Sequence, residues 1–242
     1  MEQIDFAAKE LFYQIKDKIK NKQIIFFGEI HGSKEIPLIL AEFFRIFSQE
    51  EDFDLALEVP RDNQEKIDNF LMLRNEEILK EISFFKQQEN SDGRNSLEYL
   101  QLIKTIAEIN LQRFLPIRIL CIDISLQDKF ESQNEREEGM ADNIFNLWKK
   151  EKKMFVILGN VHISKKQFIL GEKIISPVAC HLVALSYPSP RIFSVNLQPR
   201  TGEFFNFGIK RVEELSEDVD KSFDQIFFLD KISPCSFVEN NP

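Results

Sequence analysis

The sequence predicts an α/β protein with a central, mostly parallel sheet flanked by helices, and a helical excursion after the second strand. Short, continuous apolar segments of the kind that form strands buried on both faces alternate with longer segments of helical periodicity. Four of these strand segments end directly in an acidic residue or in a Gly-x-x-His motif. A length of 242 residues suits one large α/β domain, so we expect a single domain over 1–242.

The first part of the predicted sheet follows an amphipathic opening helix over residues 1–22. Ile24–Phe27 is a β-branched and aromatic run that predicts the first strand, and Gly28 ends it. Pro37–Ser48 reads as a helix, because proline is favoured in the first turn. Asp54–Val59 is the second strand segment, and the proline that follows closes it.

Helical segments without an intervening strand come next, and they cover 63–73, 76–85 and 97–111. This is more than a crossover needs, so we expect a helical cap region at about 62–112 beside the sheet. The third strand is predicted at Ile117–Ile122, a helix at Gln133–Lys149 and the fourth strand at Met154–Leu158. Later short strands are predicted at 182–185, 192–197 and 223–229.

The composition and charge of the chain argue against several kinds of partner and site. The net charge of −9 argues against a nucleic-acid partner, because phosphate binding needs a concentrated positive surface. No apolar run reaches the ~18 residues of a membrane span, so no membrane partner is expected. The three cysteines, Cys121, Cys180 and Cys235, show no zinc or disulfide spacing. Without signal-peptide features we expect a cytoplasmic protein with a small-molecule or peptide substrate; the oligomeric state stays open.

The stretch Gln23–Gly32 organises the predicted site. Its apolar run ends in the sequence GEIHG, where Glu29 and His31 are two residues apart. In an extended chain such residues project from the same side. The carboxyl end of a buried strand is where open α/β sheets bind ligands, so this stretch predicts a site.

The other predicted strands end in comparable residues. Parallel strands alternating with helices point their carboxyl ends in one direction, which brings their terminal residues to one edge of the sheet. The residues gathered there would be Glu29, His31, Glu58, Asp123 and His162. Two of the three histidines of the chain fall in this set, and histidine suits both proton transfer and metal binding.

Two chemistries fit these residues, and the sequence leaves both open. In the first, His31 is a general base on water, Glu29 or Glu58 orients it, and His162 or Arg136 stabilises the oxyanion. In the second, a divalent metal ion is bound, and its water attacks the substrate. The metal ligands would come from His31, His162, Glu29, Glu58 and Asp123.

Three other residues with reactive side chains are assigned structural roles. His181 lies in an apolar run with no acid beside it, which is typical of a core histidine. Ser33 and Cys121 lack the flanking pattern that activates a nucleophile.

The segments IIFFGEIHGS, LALEVP, IRILCID, NEREEGMADNIFNLW and MFVILGNVHI, in this order, resemble the superfamily of erythromycin esterases, ChaN haem-uptake proteins, Tiki and TraB. Gly28–His31 and Gly159–His162 match its paired Gly-x-x-His motifs, and Glu58 matches the glutamate between them. The match spans about Gln23–Ser164. It implies an α/β fold with a site at the strand ends, and either hydrolysis by a histidine-activated water, metal-dependent hydrolysis, or haem binding without turnover.

Overall fold

The computed structural model describes residues 2–86, 91–125, 130–184, 191–212 and 222–237, and it confirms the predicted α/β class. The helices in these ranges are α1 (Glu2–Ile19), α2 (Glu35–Phe47), α3 (Gln64–Leu73), α4 (Glu76–Lys80), α5 (Ser83–Lys86), α6 (Leu97–Asn110), α7 (Gln133–Leu147) and α8 (Val178–Ala184). The strands are β1 (Ile24–Glu29), β2 (Phe53–Pro60), β3 (Ile119–Asp123), β4 (Lys153–Gly159), β5 (Phe168–Leu170), β6 (Lys173–Ile175), β7 (Ile192–Phe205), β8 (Ile209–Arg211) and β9 (Gln225–Ile232).

The main sheet has the strand order β3-β2-β4-β1-β7, and all of these neighbours run parallel. β9 also pairs in parallel with β7, while β8 pairs with the end of β7 antiparallel. The register places Glu29 opposite Gly159 on β4 and Pro60 opposite Asp123. The carboxyl ends of four adjacent strands therefore meet at one edge of the sheet, as the sequence predicts.

Helices cover both faces of the sheet and bury two apolar layers. The larger layer lies under α1, α2 and α6 and contains many of the phenylalanines. The rings of Phe27 and Phe155, for example, stack with centroids 5.7 Å apart, and Phe43 meets Phe27 edge-on. The smaller layer lies under α7 and α8. Strands packed on both faces are buried throughout, which fixes where their ends lie.

Local structure departs from prediction at several places along the chain. The strand predicted at 182–185 is wrong where it is described, because 178–184 form α8. Val178, Ala179 and Leu182 have helical spacing and pack on α7 as one apolar face. The helix predicted at 76–85 is broken into α4 and α5, and the hairpin of β5 and β6 was not predicted.

Close backbone packing brings the excursion after β2 to the sheet edge. Gly32 has φ 74°, and a Cβ there would lie 1.7 Å from the carbonyl oxygen of Phe205. Gly93 has φ 92°, and its Cβ would lie 2.2 Å from Gly32 Cα. Only glycine fits both positions, and the contact places Arg94 beside the loop that carries His31. Across the described ranges, no helix combines the length and apolar character needed to cross a bilayer.

Candidate active site

The predicted residues meet around one buried carboxylate, Glu58, at the end of β2. Its side chain is 1% exposed. His31 Nε2 lies 3.4 Å from Glu58 Oε2, and His162 Nε2 lies 3.6 Å from Oε1. Glu58 Oε2 also accepts a hydrogen bond of 2.8 Å from the backbone N–H of Gly159. The structure thus brings together Glu29, His31, Glu58, Asp123, His162 and Arg136.

The first histidine forms a carboxylate–imidazole pair. His31 Nδ1 lies 2.8 Å from Glu29 Oε1, so Glu29 fixes the orientation of the ring. Glu29 is the last residue of β1 and is buried, whereas the side chain of His31 is 14% exposed. Nε2 is consequently the ring nitrogen directed away from Glu29 and toward the interior of the site.

The second histidine has a carboxylate partner that was not predicted. His162 Nδ1 lies 2.6 Å from Glu137 Oε1, and Glu137 Oε2 accepts a hydrogen bond of 3.0 Å from the N–H of Val178. An acid in the first turns of a helix is favourable whatever it contacts, so the residue type of Glu137 does not indicate a histidine partner. The one indication in the sequence was that Glu137 comes directly after Arg136, which was itself a candidate site residue.

Two guanidinium groups neutralise the carboxylates. Arg136 donates to Glu58 Oε1 at 2.7 Å and to both oxygens of Asp123 at 3.0 and 2.7 Å. Arg94 donates to Glu58 Oε1 at 2.8 Å and to Asp123 at 3.2 Å, while Asp92 binds its Nε. Arg94 was not predicted as a site residue because it lies in the mostly helical segment between β2 and β3. Its position after the Ser-Asp-Gly turn is the only sequence feature that distinguishes it.

The charges around His31 shift its proton equilibrium. Burial alone would lower the pKa of His31, but the charge of Glu58 and the hydrogen bond that the ring donates to Glu29 outweigh it and raise the pKa to about 10. For Glu58 burial would raise the pKa, but Arg94, His162 and His31 hold it well below its usual range. His31 is therefore an imidazolium at neutral pH, between two carboxylates.

The stability of the protein should fall between pH 6.5 and about 10. The folded state holds the His31 proton up to a pKa of about 10, whereas the unfolded chain loses it near the ordinary histidine pKa of 6.5. The stabilisation is thus complete below pH 6.5, and the free energy of unfolding declines above it by up to about 1.4 kcal/mol per pH unit. Urea unfolding at several pH values measures this slope. His31→Gln should flatten it; an unchanged slope in that variant would assign the effect to other groups.

Glycine at 159 leaves space for both imidazoles. A Cβ at this position would lie 2.7 Å from His31 Nε2 and 3.3 Å from His162 Cδ2. Since both are side-chain atoms, Gly159→Ala should fold with the rings displaced, and in an enzyme the displacement of a reacting group by about 1 Å costs roughly a hundredfold in rate. We expect any turnover that depends on these rings to fall by that order while thermal unfolding changes little. An unchanged turnover number would mean that ring placement is unimportant.

The carboxylate oxygens of Glu58 and Asp123 are arranged to bind guanidinium groups rather than a divalent cation. Both oxygens of Glu58 and both of Asp123 already accept hydrogen bonds from arginine or backbone N–H groups. A cation at this place would face Arg94 and Arg136 at close range, which is electrostatically unfavourable. Within the described ranges, no three His, Cys, Asp or Glu side chains form a group that could hold a metal ion.

The residues assigned structural roles lie apart from this network of contacts. His181 is on α8, and its Nε2 is buried without a hydrogen-bond partner. Ser33, two residues after His31, is buried. Burial raises the pKa of the Cys121 thiol to about 12, which makes it a poor nucleophile.

Comparison with known proteins identifies solved structures that share this fold. No protein-family model and no curated protein sequence matches the chain. Among solved structures, a mutant of the erythromycin esterase EreC in its open conformation aligns with a TM-score of 0.63 and 11% identity, covering 86% of this chain and 81% of that one. The two proteins share a fold. The resemblance predicted from the paired motifs is confirmed at this level.

Two further structures align over nearly the whole chain. A succinoglycan biosynthesis protein has a TM-score of 0.67 at 13% identity and covers 93% of this chain and 92% of its own. A protein from Bacillus cereus has a TM-score of 0.66 at 12% identity, with coverages of 94% and 93%. Identities this low establish the fold, while activity has to be argued from the site.

Proposed function

We propose that this protein is a hydrolase of a small ester, lactone or amide, with His31 as the general base on a water molecule. The observation that carries the proposal is the Glu29–His31 pair, in which Glu29 binds Nδ1 and leaves Nε2 directed into the site. An imidazole oriented through one nitrogen by a carboxylate is the arrangement that prepares the other nitrogen for proton transfer.

The chemistry follows from the positions of the charges. Neutral His31 takes a proton from water at Nε2 while the water oxygen attacks the carbonyl carbon, and the resulting imidazolium lies between Glu29 and Glu58. Arg94 and Arg136, each with a side chain 14% exposed, supply positive charge for the developing oxyanion. The imidazolium then returns the proton to the leaving group, which completes hydrolysis.

The raised pKa of His31 gives this proposal a pH signature. A base must be unprotonated, and His31 with a pKa of about 10 is almost fully protonated near neutrality. Activity should therefore rise about tenfold per pH unit through the neutral range and level off toward pH 10. A profile that is flat there and falls only at alkaline pH would instead assign His31 the role of an acid.

The experiment that tests the function is a substrate screen. Purified protein is assayed against nitrophenyl esters, a lactone series and peptide amides, with and without a chelator. Turnover that is unchanged by the chelator supports the metal-free chemistry that the arginine-saturated carboxylates favour; loss of turnover on chelation would restore the metal hypothesis. If no substrate is turned over and haemin instead gives a stoichiometric Soret band, the haem-binding alternative replaces the hydrolase.

A further inference from the structure

Phe207 is a strained and exposed aromatic residue in the turn between β7 and β8. Its φ is 49°, in the left-handed region, and the residue is 65% exposed. Bulky residues rarely take this conformation, because their Cβ crowds the following carbonyl oxygen. Asparagine and glycine take it readily, and both are present next to it as Asn206 and Gly208. Neither turn geometry nor burial therefore accounts for phenylalanine at this position.

The strand before this turn extends past the carboxyl edge of β1. Asn196 on β7 is the register partner of Gly28, and β7 continues from there to Phe205. The N–H of Phe205 donates to the carbonyl oxygen of Gly32 at 3.0 Å. The end of β7 is therefore bound to the loop that carries His31.

A second hydrogen bond fixes the turn against the other loop of the site. The N–H of Phe207 donates to the carbonyl oxygen of Ser91 at 3.0 Å, and Ser91 directly precedes Asp92. The side chains of Asp92 and His31 are 22% and 14% exposed, whereas that of Glu58 is 1% exposed. Asp92 and His31 thus mark where the buried network opens to solvent, and Phe207 lies at this opening.

The contrast between the opening and the interior selects the kind of substrate. The interior presents imidazole and guanidinium groups, which act on a polar carbonyl group. At the opening the ring of Phe207 offers an apolar surface, and an aromatic ring buries a large area when a ligand covers it. Strained residues of this kind concentrate at ligand-binding sites. A substrate that uses both parts has a polar reacting group and an apolar substituent.

We propose that Phe207 determines the specificity of the candidate site by binding the apolar substituent of a substrate whose ester, lactone or amide group reacts at His31. The substrate class is then a carbonyl compound with an aliphatic or aromatic side group, and not a small, fully polar one. For the reacting group the inference rests on the proposed function, whereas the apolar contact is measured by binding alone.

Calorimetric binding of two phosphonates tests this contact. Octylphosphonate and methylphosphonate carry the same tetrahedral anion and differ only in the apolar chain. Wild-type protein should bind the octyl compound at least about tenfold more tightly, because even one methylene in an apolar site can be worth that factor. Phe207→Asn should lose this preference, while its urea unfolding midpoint stays the same or rises, because asparagine adopts a positive φ at lower cost.

Two further variants serve as controls. Phe207→Leu keeps an apolar side chain and should retain most of the preference. Phe114→Asn removes an aromatic residue that is 98% exposed between α6 and β3, and it should bind both phosphonates like wild type. No octyl preference in wild type, or an equal preference in Phe207→Asn, would overturn the proposal. Loss of the preference in Phe207→Leu would also overturn it, because the effect would then belong to the turn.

The hydrolase assignment is tested separately from this contact. His31→Gln protein should keep the octyl preference, since the substitution leaves Phe207 in place. An octyl preference that depends on Phe207, without turnover in the substrate screen, would support the apolar contact and reject the hydrolase. With active protein, the ratio of kcat/KM for nitrophenyl octanoate to that for nitrophenyl acetate should fall about tenfold in Phe207→Asn.

Discussion

Replacing His31 with glutamine is expected to reduce hydrolysis by a factor of roughly a hundred to ten thousand, the usual contribution of a general base. Glutamine is similar in size and still hydrogen-bonds to Glu29, but it cannot accept the proton from water. The loss should appear in the turnover number, because the exchange removes proton transfer and leaves substrate contacts largely intact. Steady-state kinetics on the best substrate of the screen measures the turnover number. Unfolding measured in parallel shows whether the variant keeps its stability.

His181 offers a matched histidine control. It lies on α8 and belongs to neither carboxylate–imidazole pair. His181→Gln should keep wild-type turnover, so that a loss confined to His31 reflects chemistry. If His31→Gln retained full activity, the base would have to be another group, and the role proposed for the Glu29–His31 pair would be wrong.

The largest expected effect on stability is that of Glu58→Gln. Glu58 binds two guanidinium groups at 2.7 and 2.8 Å and faces both imidazoles. The amide keeps the shape but removes the charge, which leaves Arg94 and Arg136 under-neutralised in a buried site. Breaking a buried ion pair from one side costs about 3–5 kcal/mol, and we expect a loss in that range together with loss of activity. Urea unfolding monitored by fluorescence measures the loss of stability.

A surface pair provides the comparison for this experiment. Glu108 binds Arg45 at 3.0 Å, and both side chains are substantially exposed. Glu108→Gln should cost less than about 1 kcal/mol, because water screens such pairs and solvates the partner left behind. If Glu58→Gln cost no more than Glu108→Gln, the central carboxylate would contribute little net stabilisation, and Asp123 would have to carry the charge balance of the two arginines.

Prediction from sequence succeeded where local pattern and chain direction were sufficient. Apolar runs such as Ile24–Phe27 fixed the buried strands, and parallel strands must end at one edge. Glu29, His31, Glu58, Asp123 and His162 come together for this reason. Prediction failed at α8, where a short apolar run is compatible with either a strand or a helix until its packing partner is known.

Arg94 and Glu137 show what local pattern could not supply. Arg94 is 36 residues from Glu58 in the chain, and it reaches that carboxylate because Gly32 and Gly93 allow their loops to touch. Glu137 lies on α7, and its binding to His162 depends on how α7 packs against β3 and α8. Neither contact has a signature in sequence spacing.

The sequence by itself determined the α/β class, the strand ends that carry the site and most of the residues there, because these follow from periodicity and parallel topology. Only the tertiary structure decided the charge balance. That two guanidinium groups balance the charge of Glu58, and that His31 holds its proton, depends on side chains brought from separate segments into a buried site. Interactions of this kind depend on distance and burial, which one-dimensional spacing does not encode.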